Sequence, residues 1–195
     1  MTSEGFTIVQ EKTVFSGVIF DVVDFTIRSP DGEMMSREIV RHPGAVAIVA
    51  LTNSNKSALL VSQFRTAARK EILEIPAGTL DVAGELPEHT AARELAEEVG
   101  HVAGRLEWMV DLFSSPGIST QVTSIYLASE LAPAPHGHHA TGAEERFMKV
   151  VEVDLADIDH LVSTGKIVDA TTLCGLLMAR ERLAKTQNGY STNNL

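Results

Sequence analysis

Residues 74–102 of this chain read EIPAGTLDVAGELPEHTAARELAEEVGHV, and the rest of the sequence is organised around them. A Gly-rich loop leads into a short acidic helix, Arg93-Glu94-Leu95-Ala96-Glu97-Glu98-Val99-Gly100. At about 100° per residue, Glu94, Glu97 and Glu98 fall within one sector about 100° wide, while Ala92, Leu95, Ala96 and Val99 take the opposite, packing face. Like charges at i,i+4 cost a helix roughly 0.2–0.5 kcal/mol per pair, so the cluster calls for free solvation or for a cation. Hard divalent cations such as Mg²⁺ take carboxylate and carbonyl oxygens and keep sites for water and phosphate. On the helix alone a solvated acidic face is the better reading; the loop before it reverses that preference.

Loop and helix together resemble the Nudix box, the signature of hydrolases that cleave a nucleoside diphosphate linked to another group. The family pattern is Gly, five residues, Glu, seven residues, then Arg-Glu-aliphatic-any-Glu-Glu-any-Gly-aliphatic. Here Gly78 opens it, Glu85 is the isolated acid, and Arg93 to Gly100 match throughout. The chain departs from the pattern in three places. Six residues, Thr79 to Gly84, separate Gly78 from Glu85, an extra length that a loop tolerates better than a helix. His101 replaces the last aliphatic residue, and Leu86 stands where a polar N-cap is usual, just before Pro87 at the first helical position.

The chain has 195 residues, 44% of them hydrophobic, enough to bury a core, and a formal net charge of −10. That charge argues against a nucleic-acid-binding surface, which needs clustered Lys and Arg, and an acidic protein that handles phosphates needs metal ions to bring the anion close. No signal pattern and no apolar run of about 18 residues is visible, so the expectation is a cytoplasmic protein with no membrane partner. The lone Cys174, in an apolar helical pattern, is expected in the core.

Strand patterns run over Phe6 to Gln10 and Val14 to Ile27, followed by the turn Ser29-Pro30-Asp31-Gly32 and a returning strand from Met34 to Val40. Ala45 to Leu51 (AVAIVAL) reads as a strand covered on both faces, with Ala58 to Phe64 pairing back across Asn53-Ser54-Asn55. Further strands are expected at 71–75, 106–113, 122–128 and 147–153, and a polar loop at 132–145. In that loop His136, His138 and His139 lack a fourth ligand and read as loop rather than zinc site. Asp154 and Asp169 are expected to cap two helices, the first ending near Gly165. The class is α+β, and the resemblance implies a Nudix α/β/α sandwich with a mixed sheet and an N-terminal β extension. The expected divisions are an extension over residues 1–43, a catalytic domain over 44–186 and a flexible tail over 187–195.

Outside the box, Arg37 to Val49, Gln63-Phe64-Arg65, Glu71 to Gly78 and Ser115-Pro116-Gly117 look like the ADP-ribose pyrophosphatase branch of the family. That resemblance implies a homodimer in which the extension swaps onto a second copy. It implies Mg²⁺, with Mn²⁺ as a substitute, held by Glu94, Glu98 and the Ala77 carbonyl, with Glu97 adjacent or linked through water and Arg93 orienting the carboxylates. It further implies that Arg65 contacts the phosphates or adenine, that Arg37 and Glu38 reach the site from the partner chain, and that Ser115, Pro116 and Gly117 shape the terminal-ribose end. The proton of the attacking water is expected to pass to Glu144 or else Glu145. The implied reaction is metal-dependent hydrolysis of ADP-ribose to AMP and ribose 5-phosphate. Ser119-Thr120-Gln121 departs from the branch, which commonly places acidic residues there. Two other readings stand beside it: hydrolysis of another nucleoside diphosphate sugar or dinucleotide such as GDP-mannose, since the box reads only the pyrophosphate, and a non-catalytic nucleotide sensor.

Overall fold

The computed structural model describes residues 5–135, 137 and 145–187. They form two compact units, one of the residues up to Gly44 together with Phe113–Val122, the other of Ala45–Leu112 and the chain from Thr123 onward.

In the first unit, β1 (Thr7–Ser16), β2 (Asp21–Arg28) and β3 (Met34–Arg41) make an antiparallel sheet in that order. The sequence reading carried one strand from Val14 to Ile27; instead the chain reverses after Ser16, where the Gly17 N–H donates to the Phe20 carbonyl at 2.9 Å. The expected turn after β2 is present, with the Gly32 N–H on the Ser29 carbonyl at 3.0 Å. Every residue of β1 is exposed, Ile8, Val14 and Phe15 by more than half. Val40 ties β3 to the 113–122 segment, donating to the Ile118 carbonyl at 2.8 Å and accepting from the Thr120 N–H at 2.9 Å.

The second unit is a sandwich. Its strands are β4 (Ala45–Leu51), β5 (Ser57–Arg65), β6 (Lys70–Glu74), β7 (Ala77–Thr79), β8 (His101–Phe113), β9 (Val122–Pro133) and β10 (Lys149–Asp154). They form one sheet in the order β10-β5-β4-β9-β8, with β6 on β5 and β7 on β4. β4 and β9 run parallel while β5, β6, β7 and β10 pair antiparallel, so the sheet is mixed.

All seven residues of β4 are buried because its alternate side chains enter two cores. Ala47, Val49 and Leu51 pack with Leu176 and Ala179 of α3 (Ala170–Gln187). Val46, Ile48 and Ala50 pack with Ala91, Leu95 and Val99 of α1 (Pro87–Val99). Each fully buried Val, Leu or Ile contributes about 1.5–3 kcal/mol, and the second of these layers fixes α1 against the sheet as the first fixes α3. A short helix, α2 (Ile158–Ser163), precedes α3.

Several local expectations shift. Asp154 accepts from the Ala156 N–H at 2.8 Å, but the turn it caps is a 3-10 turn, Leu155–Asp157, ahead of α2. β8 starts at His101, directly after α1, and β9 continues to Pro133. Cys174 is exposed rather than in the core, because the buried stripe of α3 runs through Thr172, Gly175, Leu176 and Ala179. Ala92 is exposed for the same reason on α1, whose buried positions are Thr90, Ala91, Leu95, Glu98 and Val99. The His136, His138 and His139 reading and the tail beyond Gln187 lie outside the described residues. Among the described residues no helix is long and apolar enough to cross a membrane.

Candidate active site on the acidic helix

Leu86 at the N-cap makes no side-chain bond, and Pro87 opens the helix. Gly100 closes it in the left-handed region at φ 68°, its N–H on the Ala96 carbonyl at 3.1 Å. The extra loop residue is absorbed before the helix, where the Glu85 N–H donates to the Val82 carbonyl at 3.1 Å. Glu85 still reaches α1, accepting from the Thr90 hydroxyl at 2.9 Å.

Arg93 is the hub of the polar face. Its Nη1 donates to Glu94 Oε1 at 2.8 Å and to Glu97 Oε2 at 3.0 Å, and its Nη2 donates to Glu85 Oε2 at 3.2 Å. One planar fork therefore spaces three carboxylates through charge-assisted bonds. Burial disfavours the charged guanidinium, yet its bonds to Glu85 and Glu94 and the charge of Glu97 outweigh that and raise its pKa. Glu85 is correspondingly held below the ordinary carboxylate range, first by Arg93 and then by Thr90.

The other two acids face β7. Glu98 is buried, and its Oε2 accepts the Ala77 N–H at 3.0 Å. Glu94 lies so close to Gly78 that a Cβ there would fall 2.1 Å from the carboxylate carbon and from Oε1. Two carboxylates thus bracket the Ala77–Gly78 backbone. An all-oxygen donor set of Glu94, Glu98 and the Ala77 carbonyl suits a hard divalent cation. Among the described residues no three acidic, His or Cys side chains are already drawn into a coordination shell; Glu94 and Glu97 are instead paired with Arg93.

A second polar cluster sits at the end of β6. Glu74 is buried at 8% exposure, and its Oε2 accepts both Gln63 Nε2 at 2.9 Å and Arg65 Nε at 2.8 Å. Burial pushes its pKa up, against the pull of Arg65, and Asp169 adds to the rise. The next residue, Ile75, donates its N–H to Thr172 Oγ1 at 3.0 Å, and the Thr172 N–H reaches Asp169 Oδ2 at 2.6 Å at the start of α3. Glu74 was missed from sequence. Its position next to the Ile75-Pro76 pair, in an otherwise apolar run, was the available signal.

The remaining expected residues divide between the units. Arg65 lies with Glu74 in the second. Arg37 and Glu38 are exposed on β3 in the first, Arg37 Nη1 donating to the Ser36 carbonyl at 2.7 Å. Ser115, Pro116 and Gly117 belong to that same unit, and the Ser115 carbonyl accepts from Ile118 and Ser119 at 3.1 and 2.9 Å. Glu144 lies outside the described residues, and Glu145 begins the 3-10 turn Glu145–Phe147.

Comparison with known proteins gives this geometry a context. An ADP-ribose pyrophosphatase from Bacillus subtilis is 40% identical over 166 residues, 85% of this chain and 87% of that protein. An ADP-ribose pyrophosphatase from Mycobacterium tuberculosis is 38% identical over 179 residues, 91% of this chain and 84% of its own length. A methanol dehydrogenase activator from Bacillus methanolicus is 36% identical over 166 residues, 85% of this chain and 87% of its own. In three dimensions, the crystal structure of an ADP compounds hydrolase superposes with a TM-score of 0.79 at 23% identity, covering 98% of this chain and 100% of the other, a likeness of fold. The NUDIX domain family model matches residues 41–171, which include the whole of the loop, α1 and the acids that bracket Ala77–Gly78. The chain belongs to the Nudix family.

Proposed function

We propose that the chain hydrolyses the pyrophosphate bond of ADP-ribose, giving AMP and ribose 5-phosphate, with Mg²⁺ held by Glu94, Glu98 and the Ala77 carbonyl and with Mn²⁺ able to replace it. The observation that carries the reading is the pair of carboxylates bracketing Ala77–Gly78, one on a backbone N–H and the other against the Gly78 Cα. The substrate assignment is supported by the two relatives of about 40% identity named for ADP-ribose.

Bound there, the cation neutralises the pyrophosphate oxygens and lowers the pKa of water. Arg93 keeps Glu94 and Glu97 in place through its Nη1, so that the carboxylates need not reorganise as the substrate arrives. Arg65 contacts the phosphates or adenine as a cation on the rim of the site. Glu144, or its neighbour Glu145, takes the proton of the attacking water. Water adds across one P–O bond of the diphosphate, and the two phosphate esters leave as AMP and ribose 5-phosphate.

The working form is a homodimer. β1 presents Ile8, Val9, Val14 and Phe15 to solvent along an unburied strand, with Val18 and Ile19 beyond it. Apolar surface of that extent is stabilised by a second copy. In that assembly Arg37 and Glu38 of one copy serve the site of the other, and Ser115 to Gly117 shape the terminal-ribose end.

The test is Mg²⁺-dependent product release from a panel of ADP-ribose, GDP-mannose, NADH, diadenosine polyphosphates and nucleoside triphosphates. Fastest turnover of ADP-ribose into equal amounts of AMP and ribose 5-phosphate is expected. Faster turnover of GDP-mannose would overturn the substrate, and no turnover of any compound would overturn the enzyme reading in favour of nucleotide sensing.

A further inference from the structure

Resting on the role given to Arg65 above, we propose that Glu74 is a positioning residue of the active site, pinning the Arg65 guanidinium by its Nε edge so that the Nη edge faces outward for a substrate phosphate. The two ends of the pair differ sharply in exposure: the Arg65 side chain is 43% exposed and that of Glu74 only 11%. Among the described residues the guanidinium's hydrogen-bond partner is Glu74, through Nε at 2.8 Å. A planar guanidinium held at Nε keeps its two Nη groups in a fixed fork, the geometry that matches a phosphate.

The anchor is itself anchored. Gln63 Nε2 shares the same Glu74 oxygen at 2.9 Å, and the Val61–Glu74 register of β5 and β6 holds the carboxylate against the strand that carries both donors. Beyond Glu74 the chain is fixed by Thr172 at Ile75 and by Glu98 at Ala77. Arg65 is therefore tied, through four residues of backbone, to the same Ala77–Gly78 segment that the box carboxylates bracket. A buried carboxylate is a costly way to join two strands, since an apolar or neutral pair of similar volume is often as stabilising. Orienting a half-exposed cation beside a phosphate site gives the charge a use that strand pairing does not.

The experiment is a double-mutant cycle on the substrate turned over fastest in the panel, measuring KM, kcat and Tm for wild type, Glu74→Gln, Arg65→Ala and the double variant. Glu74→Gln leaves the Arg65 Nε–H a neutral amide oxygen in place of the charged one and is expected to raise KM about three- to tenfold as the guanidinium loosens, with kcat changed by less than about twofold. In the Arg65→Ala background the same substitution is expected to leave KM unchanged, because its effect passes through Arg65. An equal KM rise in both backgrounds overturns the proposal, as does a Glu74→Gln enzyme with wild-type KM when Arg65→Ala raises it. If Arg65→Ala itself leaves KM at the wild-type value, the role of Arg65 falls and the positioning role falls with it, while the metal face stands. Should Glu74→Gln fail to fold, Arg65→Lys carries the test with Glu74 intact: a lysine cannot bind Glu74 and present a fork at once, so a raised KM is expected and wild-type KM overturns the proposal.

Discussion

Replacing Gly78 by alanine is a small perturbation that reaches the acidic face proposed to hold the metal. The added Cβ would sit 2.1 Å from Glu94 Cδ and Oε1 and 2.4 Å from Cγ, where ordinary contact begins at 3.4 Å. The Gly78 backbone lies outside the left-handed region, so alanine is not strained there by its own φ. Glu94 must give way, and separating the atoms moves its carboxylate by more than about 1 Å; a misplacement of that size costs on the order of a hundredfold in rate. Because the displaced group is the end of a flexible side chain, the cores around β4 are untouched. The expected result is a kcat/KM about a hundredfold lower at saturating Mg²⁺, with a Tm close to wild type. A Gly78→Ala enzyme within about threefold of wild type would refute the placing of Glu94 at the metal.

Other consequences can be measured separately. Arg93→Met removes the Nη1 that binds both Glu94 and Glu97 and the Nη2 that binds Glu85; for a side chain about one third exposed the loss is about 1 kcal/mol, or about 2–4 °C in Tm, alongside a fall in kcat, and unchanged kcat would show that Arg93 does not order the carboxylates. Glu74 has a raised pKa in the folded chain, so the folded state holds a proton that the unfolded state has released; this contribution to stability is full below the ordinary glutamate value of 4.5 and is lost as pH rises through the folded value. The Tm of Glu74→Gln relative to wild type is accordingly expected to climb across that window, and a difference that is flat or falls with pH contradicts the shift. Ile8→Glu puts a charge on the exposed strand β1 and is expected to convert a dimer into a monomer by light scattering, whereas a wild-type chain of monomer mass would dispose of the dimer.

The helical period was enough to place Glu94, Glu97 and Glu98 on one side of α1, because angular position depends only on spacing. It could not tell which of them turns inward. Glu98 is buried because β7 lies against that edge of the helix, a contact set by the pairing of β7 with β4 thirty residues upstream. The same limit hid Glu74. A glutamate at a strand end reads as solvated until the β5–β6 register brings Gln63 and Arg65 to its oxygen. β4 was legible throughout, since a seven-residue apolar run has to be covered on both faces. The reversal at Gly17 was not, because the Ser16–Phe20 stretch has a Ser and a Gly but lacks the Pro and Asp that marked the turn after β2, and Val18-Ile19-Phe20 reads as strand.

The initial rate of AMP release from ADP-ribose, followed as Mg²⁺ is titrated into metal-free wild type and Glu98→Gln, tests the central claim most directly. The variant keeps an oxygen for the Ala77 N–H but loses the charge, so the fold should survive. Wild-type turnover is expected to rise from nothing to saturation with metal, while Glu98→Gln stays lower by about a hundredfold or more at every concentration. Turnover without metal, or a variant that follows the wild-type curve, would contradict the account.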